Sequence, residues 1–313
     1  MTKRAYGKNG LVELFRFICS IWVAYFHGFF PILDERFDGT NISIDFFFMV
    51  SGLFFLKSME KLRDKRFLEG AKFIFWNKIK SFVVPLILAA LSILCCNIIF
   101  ELEFHKFNWP LSFLWFFVAQ FVYLTMFYLL FKKVKKKAVF NIACAVIICV
   151  FMSFCLVFES ETICRVARGP AMIAFGIFVS QIPKIKINLK KEINTKVFTI
   201  LINALGFVIC TAAFAYLAYL PGFQLWRLYL FACVVCTSLL YFATALPVSG
   251  KFFNLLGELS IFIYLAQCPI LLHYYGGSHE STDQFGWLCF YAILMFVINR
   301  IVNQIIKKRK TLA

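Results

Sequence analysis

The stretch LVELFRFICSIWVAYFHGFF, residues 11–30, is long enough to cross a bilayer as one α-helix. It nevertheless contains Arg16 and His27. Ionisable residues inside a membrane are costly and mark functional sites by default. Eleven residues at about 100° each return the two side chains to nearly one face, and a rise of about 1.5 Å per residue separates them by roughly 16 Å. We therefore predict a first transmembrane helix with polar groups at two depths along one line.

The composition extends this prediction to the whole chain. Of its 313 residues 62% are hydrophobic and 42 are Phe, and the mean hydropathy is +0.81. Such a chain cannot present the polar surface of a soluble domain, so we expect one integral membrane domain over residues 1–313, an all-α polytopic bundle. The apolar windows predict about ten transmembrane helices, at 10–30, 41–57, 77–100, 112–131, 138–158, 167–183, 197–219, 225–246, 252–275 and 286–306.

The charges predict the orientation of these spans. With the N-terminus in the cytoplasm, 26 of the 33 Lys and Arg residues fall on the cytoplasmic side, including the runs at 132–137, 184–196 and 307–310. Acidic residues gather in the opposite loops, at 34–38, 101–103, 159–161 and 280–283. An even number of spans, with both termini cytoplasmic, satisfies this asymmetry.

The net charge of +17 is split among short loops. It therefore predicts membrane topology and attraction to anionic lipid, and it argues against nucleic acid as a partner. Almost all of the 12 Cys fall within the spans, where Cys behaves as a small apolar residue. Cys233 and Cys236 form a CxxC pattern in mid-span with no His or carboxylate nearby in the sequence. We therefore predict no metal site.

His27 and Asp45 are the candidate catalytic residues. Each lies about one turn from the outer end of its span, so their depths match. A carboxylate beside an imidazole can fix its tautomer and stabilise the imidazolium, which makes His a competent general base. The alternative is that Asp45 caps its helix at the interface. Deeper on the same span, Ser51 and Gly52 suit close helix packing, and without a nucleophile-elbow pattern we do not assign Ser51 as a covalent nucleophile.

A second set of polar residues lies toward the cytoplasm. Arg16 suits an anionic ligand arriving from that side, although Glu13 three residues earlier can also pair with it. Lys78 and Lys80 open the third span and are ordinarily topology anchors, with phosphate binding as the alternative. Arg165 and Arg168 open the sixth span against the charge trend, which favours a specific partner for one of them.

In this order the motifs resemble those of the acyltransferase-3 family of integral membrane O-acyltransferases. The first helix of that family carries an acid, a base three residues on, and a His after ten more, as Glu13, Arg16 and His27 do here. The second helix of the family carries an acid, a Phe pair and Ser-Gly, as Asp45, Phe46-Phe47 and Ser51-Gly52 do here. The remaining matches are Lys78, Lys80 and Pro85, residues 114–116, Arg168 to Gly176, Leu256 to Ser260, and Tyr264-Leu265.

Two positions depart from the family pattern. The third-helix motif is commonly two Arg three residues apart, and this chain has Lys78 and Ser81, with Lys80 as its other base. Near the end of the ninth span the family often has His two residues after the Tyr-Leu pair, and this chain has Gln267, which cannot transfer a proton in its place.

The resemblance implies transfer of an acyl group, usually acetyl, from cytoplasmic acetyl-CoA or another acyl-CoA to a hydroxyl of a cell-envelope glycan or its lipid-linked precursor. It also implies a bacterial inner membrane location, with acyl-CoA as a substrate and no permanently bound cofactor. The rival hypothesis is a secondary transporter or flippase for a polar envelope precursor, because buried charges also line transport paths. Internal repeats are common in transporters, and the sequence shows none.

Overall fold

The computed structural model describes residues 9–28, 40–99, 114–158, 161–185, 192–219, 225–246, 248–274 and 281–312. Within these ranges the chain forms helices joined by short connections, with no β-strand. The helices are α1 (Gly10–Gly28), α2 (Thr40–Leu53), α3 (Phe55–Glu60), α4 (Phe67–Ile99), α5 (Leu114–Lys133), α6 (Lys137–Val157), α7 (Glu161–Gln181), α8 (Glu192–Tyr219), α9 (Leu225–Ala245), α10 (Lys251–Tyr274) and α11 (Ser281–Leu312).

The predicted all-α membrane fold is confirmed. Five helical stretches among the described residues are long and apolar enough to cross a bilayer, namely Ile42–Glu60, Trp115–Lys133, Lys137–Cys155, Thr195–Leu217 and Leu288–Ile305. Nine of the ten apolar windows each fall on one helix, and the window 41–57 falls on α2 and α3. Helices α4, α7, α8 and α11 begin several residues before the windows predicted for them. The count of ten spans and the location of the termini stay predictions.

The second span lies at the centre of the bundle. In Ile42–Glu60, 67% of the apolar window is buried within the protein, against 33% or less in the other four stretches. Helix α2 packs against α1, α7 and α9, and α1 packs in turn against α10. Because lipid is as apolar as these side chains, the outer helices can leave large hydrophobic residues exposed while α2 is enclosed by protein.

Two glycines bring α2 and α7 into close contact. A Cβ atom at Gly52 would lie 2.0 Å from the carbonyl oxygen of Ile173, and one at Gly176 would lie 1.9 Å from that of Met49. No larger residue fits at either place without moving a backbone. The close approach expected at Gly52 is thus confirmed, and Gly176 supplies its counterpart on the facing helix.

Candidate active site

The interior of the bundle contains an ion pair between α2 and α7. The Arg168 guanidinium donates a hydrogen bond through Nη2 to Oδ2 of Asp45. Both residues are almost fully buried, with 2% and 1% of their surface exposed. Two charges cannot be removed from water at tolerable cost unless they are paired, so each of these residues requires the other.

An aromatic ring from α9 completes this cluster. The guanidinium carbon of Arg168 lies 4.0 Å from the ring centroid of Tyr229, and Tyr229 is buried. A desolvated guanidinium over a Tyr face is attracted by the negative face of the ring. Arg168 is therefore held by α2 on one side and by α9 on another. The sequence predicted a specific partner for Arg165 or Arg168, and for Arg168 that partner is Asp45.

A proline just after Arg168 interrupts the backbone hydrogen bonding of α7. Pro170 has no N–H, so the carbonyl of Val166, four residues earlier, loses its helical donor. The Tyr123 hydroxyl of α5 donates to that carbonyl at 2.7 Å. Gly169 admits the Tyr123 ring, because a Cβ there would lie 2.3 Å from a ring carbon. The helical turn that carries Arg168 is thereby fixed to α5.

Ser51 lies two turns deeper on α2 and is engaged by two groups. Its hydroxyl donates to the carbonyl oxygen of Phe47 at 3.0 Å, one turn back on its own helix. It also accepts a hydrogen bond from the side-chain amide of Gln120 on α5. These contacts make Ser51 part of the packing between α2 and α5.

A second ion pair lies on α1. Nη1 of Arg16 and Oε2 of Glu13 are 2.8 Å apart. The Glu13 side chain is 3% exposed and that of Arg16 is 29% exposed. Glu13 lies against α10 where Gly257 leaves room, since a Cβ at Gly257 would be 1.7 Å from Oε2. Glu13 thus anchors Arg16, whose side chain keeps part of its surface accessible.

Several predicted site residues lie outside the described part of the structure. These are the side chains of His27 on α1, of Lys78, Lys80 and Ser81 on α4, of Arg165 on α7 and of Gln267 on α10. The pairing of His27 with Asp45 therefore stays a prediction. The structure does bring together Asp45 and Arg168 in one buried pair, and Glu13 and Arg16 in another.

Sequence reasoning missed three residues of this centre. Tyr229 and Tyr123 were indistinguishable from the many aromatic residues of the spans, and Gln120 was one amide in an apolar helix. A proline within a predicted span offered one available signal, because the carbonyl it leaves without a donor needs a polar neighbour. The sequence could not show that Tyr123 is that neighbour.

Among the described residues, no group of three or more His, Cys, Asp or Glu side chains could hold a metal ion. The described residues place the paired carboxylate of Asp45 in a water-poor interior and the partly exposed side chain of Arg16 on the adjoining helix α1. Electrostatic interactions are stronger in such an interior than in water.

Comparison with known proteins identifies one family. A family model described as an acyltransferase domain, of the type acyltransferase-3, matches residues 9–302, nearly the whole chain. No curated protein and no solved structure matches the chain.

Proposed function

Because this chain belongs to the acyltransferase-3 family and is a membrane acyltransferase, we propose that it transfers an acetyl group from cytoplasmic acetyl-CoA. The proposed acceptor is a hydroxyl of a cell-envelope glycan or of its lipid-linked precursor. The observation that carries the proposal is the buried Asp45–Arg168 pair, whose carboxylate lies on α2, the helix beside α1. It supplies a fixed carboxylate next to the helix that holds both Arg16 and His27.

In the proposed reaction His27 is the general base. It takes the proton of the acceptor hydroxyl as the hydroxyl oxygen attacks the acyl carbonyl, and the CoA thiolate leaves. Asp45 would fix the imidazole tautomer and stabilise the imidazolium, as carboxylates do in hydrolase triads. A carboxylate can accept several hydrogen bonds, so the Arg168 contact at Oδ2 is compatible with a His27 donor at Oδ1.

Arg168 acts on this chemistry through Asp45. A carboxylate buried alone would be neutralised by protonation, and an adjacent guanidinium favours its charged form. Tyr229 and the Tyr123-bound turn of α7 hold that guanidinium in place. We therefore assign Arg168 as a positioning residue that keeps Asp45 ionised and oriented for His27.

Arg16, Lys78 and Lys80 form the proposed donor side. Arg16 is accessible and anchored by Glu13, as a phosphate or carbonyl ligand would require. The two lysines lie on α4 in the half of the sequence-predicted span nearest the cytoplasm. Roughly 16 Å of helix between Arg16 and His27 is a distance that the pantetheine arm of acyl-CoA can cover. Acetyl would thus enter from the cytoplasm and meet its acceptor toward the outside.

The proposed setting is the inner membrane of a bacterium, with lipid, acyl-CoA and the glycan acceptor as partners. The purified protein should release CoA from acetyl-CoA when supplied with an envelope-glycan extract, and mass spectrometry should find acetyl esters on the glycan. A transporter would instead move the precursor across vesicles without consuming acetyl-CoA. Transport without acyl transfer would therefore reject the proposal.

In cells, deletion of the gene should remove an acetyl mass increment from an envelope glycan, and the wild-type chain should restore it. The Asp45→Asn variant, expressed at the same level, is the control that ties the increment to the site. Restoration by Asp45→Asn at the wild-type rate would separate the activity from the buried pair and contradict the assignment.

A further inference from the structure

Two cysteines face each other where α6 and α7 meet. Cys155 lies in the last turn of α6 and Cys164 in the first turn of α7. The Cys155 Sγ lies 3.7 Å from the Cys164 carbonyl oxygen, and the Cys164 Sγ lies 3.9 Å from the Cys155 carbonyl oxygen. The Cys155 sulfur is thus directed at Cys164, while the Cys164 sulfur lies between two carbonyl oxygens at the end of α6, with that of Phe158 nearer, at 3.1 Å. Each sulfur lies within 4 Å of the other residue's carbonyl oxygen.

Another close pair of cysteines lacks this arrangement. Cys233 and Cys236 are also buried and lie one turn apart on α9. The Cys233 sulfur lies against Met172 Sδ of α7 at 3.7 Å, and the Cys236 sulfur against the Ile42 carbonyl oxygen of α2 at 3.9 Å. These two thiols contact different helices, so proximity in sequence alone does not align them for bonding.

The two ends of α6 are predicted to lie on opposite sides of the membrane. This helix begins at Lys137, the last residue of the basic run 132–137 that we expect in the cytoplasm, and it ends near Cys155. Glu159 and Glu161 follow in the sequence, and Glu161 is the first residue of α7. The Cys155–Cys164 pair therefore lies at the end of the hairpin predicted to face outward. Disulfides form and persist on that side of a cytoplasmic membrane, whereas cytoplasmic thiols are kept reduced.

We propose that Cys155 and Cys164 form a disulfide that joins the outer ends of α6 and α7. The bond forms by thiol–disulfide exchange with an oxidising protein disulfide of the outer compartment. One thiolate attacks the oxidant disulfide, and the second thiolate then attacks the mixed disulfide. Two thiols of this chain lose two protons and two electrons, and the oxidant leaves as a dithiol.

The bond would restrain the part of α7 that carries the buried ion pair. Cys164 is one helical turn before Arg168, and Cys155, Cys164, Ala167 and Tyr229 pack in one buried cluster. A disulfide between helix ends limits the freedom of the unfolded chain and also keeps the first turn of α7 against α6. The start of α7 and the Tyr229 ring that contacts Arg168 are therefore held together.

The test is differential alkylation of the full-length wild-type protein. Cells are quenched in acid, free thiols are alkylated in denaturant, and disulfides are then reduced and alkylated with a heavier reagent. Cys155 and Cys164 should carry the heavier label, while Cys233 and Cys236 carry the first label in the same sample. Without reduction, chymotryptic cleavage after Phe158 should leave the Cys155 and Cys164 fragments covalently joined.

First-reagent labelling at both Cys155 and Cys164 overturns the proposal, whichever way the chain is oriented. In the Cys155→Ser variant, Cys164 should move to the first label, and in Cys164→Ser the converse should hold. Reductant should lower the unfolding temperature of the wild type and leave that of the Cys155→Ala/Cys164→Ala double variant unchanged. Equal shifts in both proteins would also count against the bond. The proposed acyl transfer uses neither thiol, so the labelling result neither supports nor contradicts the proposed activity.

Discussion

Arg168 and Asp45, 123 residues apart in the chain, form a buried hydrogen-bonded ion pair that joins α7 to α2. The two helices approach so closely at Gly52 and Gly176 that their backbones touch. Both members of the pair are buried, so the pair has little access to water. The pair therefore couples the packing of the two helices to the ionisation of the carboxylate that we assign to catalysis.

Replacing one member of this pair should lower the free energy of unfolding far more than replacing both. Asp45→Asn or Arg168→Met alone strands a charge, and breaking a buried pair costs about 3–5 kcal/mol. The Asp45→Asn/Arg168→Met double variant should recover much of that loss in unfolding free energy. Its acyl transfer should stay abolished. Denaturant unfolding in detergent measures stability, and acetyl-CoA turnover measures activity.

The exposed pair between Arg300 and Glu258 is the matched control. Nη2 of Arg300 and Oε2 of Glu258 are 2.8 Å apart, and their side chains are 52% and 42% exposed. Because this pair is not enclosed by the other helices, Arg300→Met should cost less stability than Arg168→Met and should leave turnover unchanged. Equal losses at Arg300 and Arg168 would mean that the effect of Arg168 is not due to burial.

The glycine contact between α2 and α7 gives a second prediction. Gly52→Ala and Gly176→Ala each place a methyl about 2 Å from a backbone oxygen, so the helices must separate. Overpacking typically costs about 1–3 kcal/mol, and here it should also weaken the nearby Asp45–Arg168 pair. Both variants should have a lower unfolding temperature and lower turnover. Gly286→Ala is the control, because nothing lies within 4 Å of its added Cβ.

The sequence predicted the helices well and the centre only in part. Long apolar windows predict spans because bilayer thickness sets their length, but helix ends such as residues 67–76 of α4 carry polar residues and fell outside the window. Arg168 could be singled out by its charge, and Gly52 by its small size. The sequence could not show that Arg168 pairs with Asp45 or that Gly52 lies against the α7 backbone, since such contacts depend on how distant helices pack. Tyr229 gave no signal at all.

His27→Ala tests the assignment of the general base. A well-placed base contributes about 10²–10⁴-fold, so acyl transfer should fall by that factor at unchanged protein level. Initial rates of acetyl transfer, normalised to purified protein, measure the effect. His105→Ala, at a His predicted in an outer loop, should keep the wild-type rate. A His27→Ala variant with wild-type turnover would show that the proton goes elsewhere.

Arg16 should determine donor binding. Arg16→Ala should raise the KM for acetyl-CoA, and Arg16→Lys should restore it partly, because a single ammonium lacks the planar fork of guanidinium. Glu13→Gln removes the charge that anchors Arg16 and should raise the same KM less. The opposing interpretation is that the pair only stabilises the fold. It predicts that Arg16→Ala and Glu13→Gln lower protein level alike while the KM for acetyl-CoA stays constant.

Sidedness tests the membrane topology and the proposed mechanism together. Both termini and the basic segments 132–137 and 184–196 should be cytoplasmic, because Lys and Arg near span ends determine orientation. The segments 31–40, 101–110, 159–165 and 276–285 should face outward. Arg16 and Lys78 then lie toward the donor, and His27 and Asp45 toward the acceptor.

Lys136→Cys and Thr282→Cys, each in a background without the native cysteines, can be treated on intact cells with a membrane-impermeant thiol reagent. Labelling should occur at position 282 and only after lysis at position 136. The reverse pattern would place acyl-CoA on the His27 side and overturn transfer from the cytoplasm to the outside.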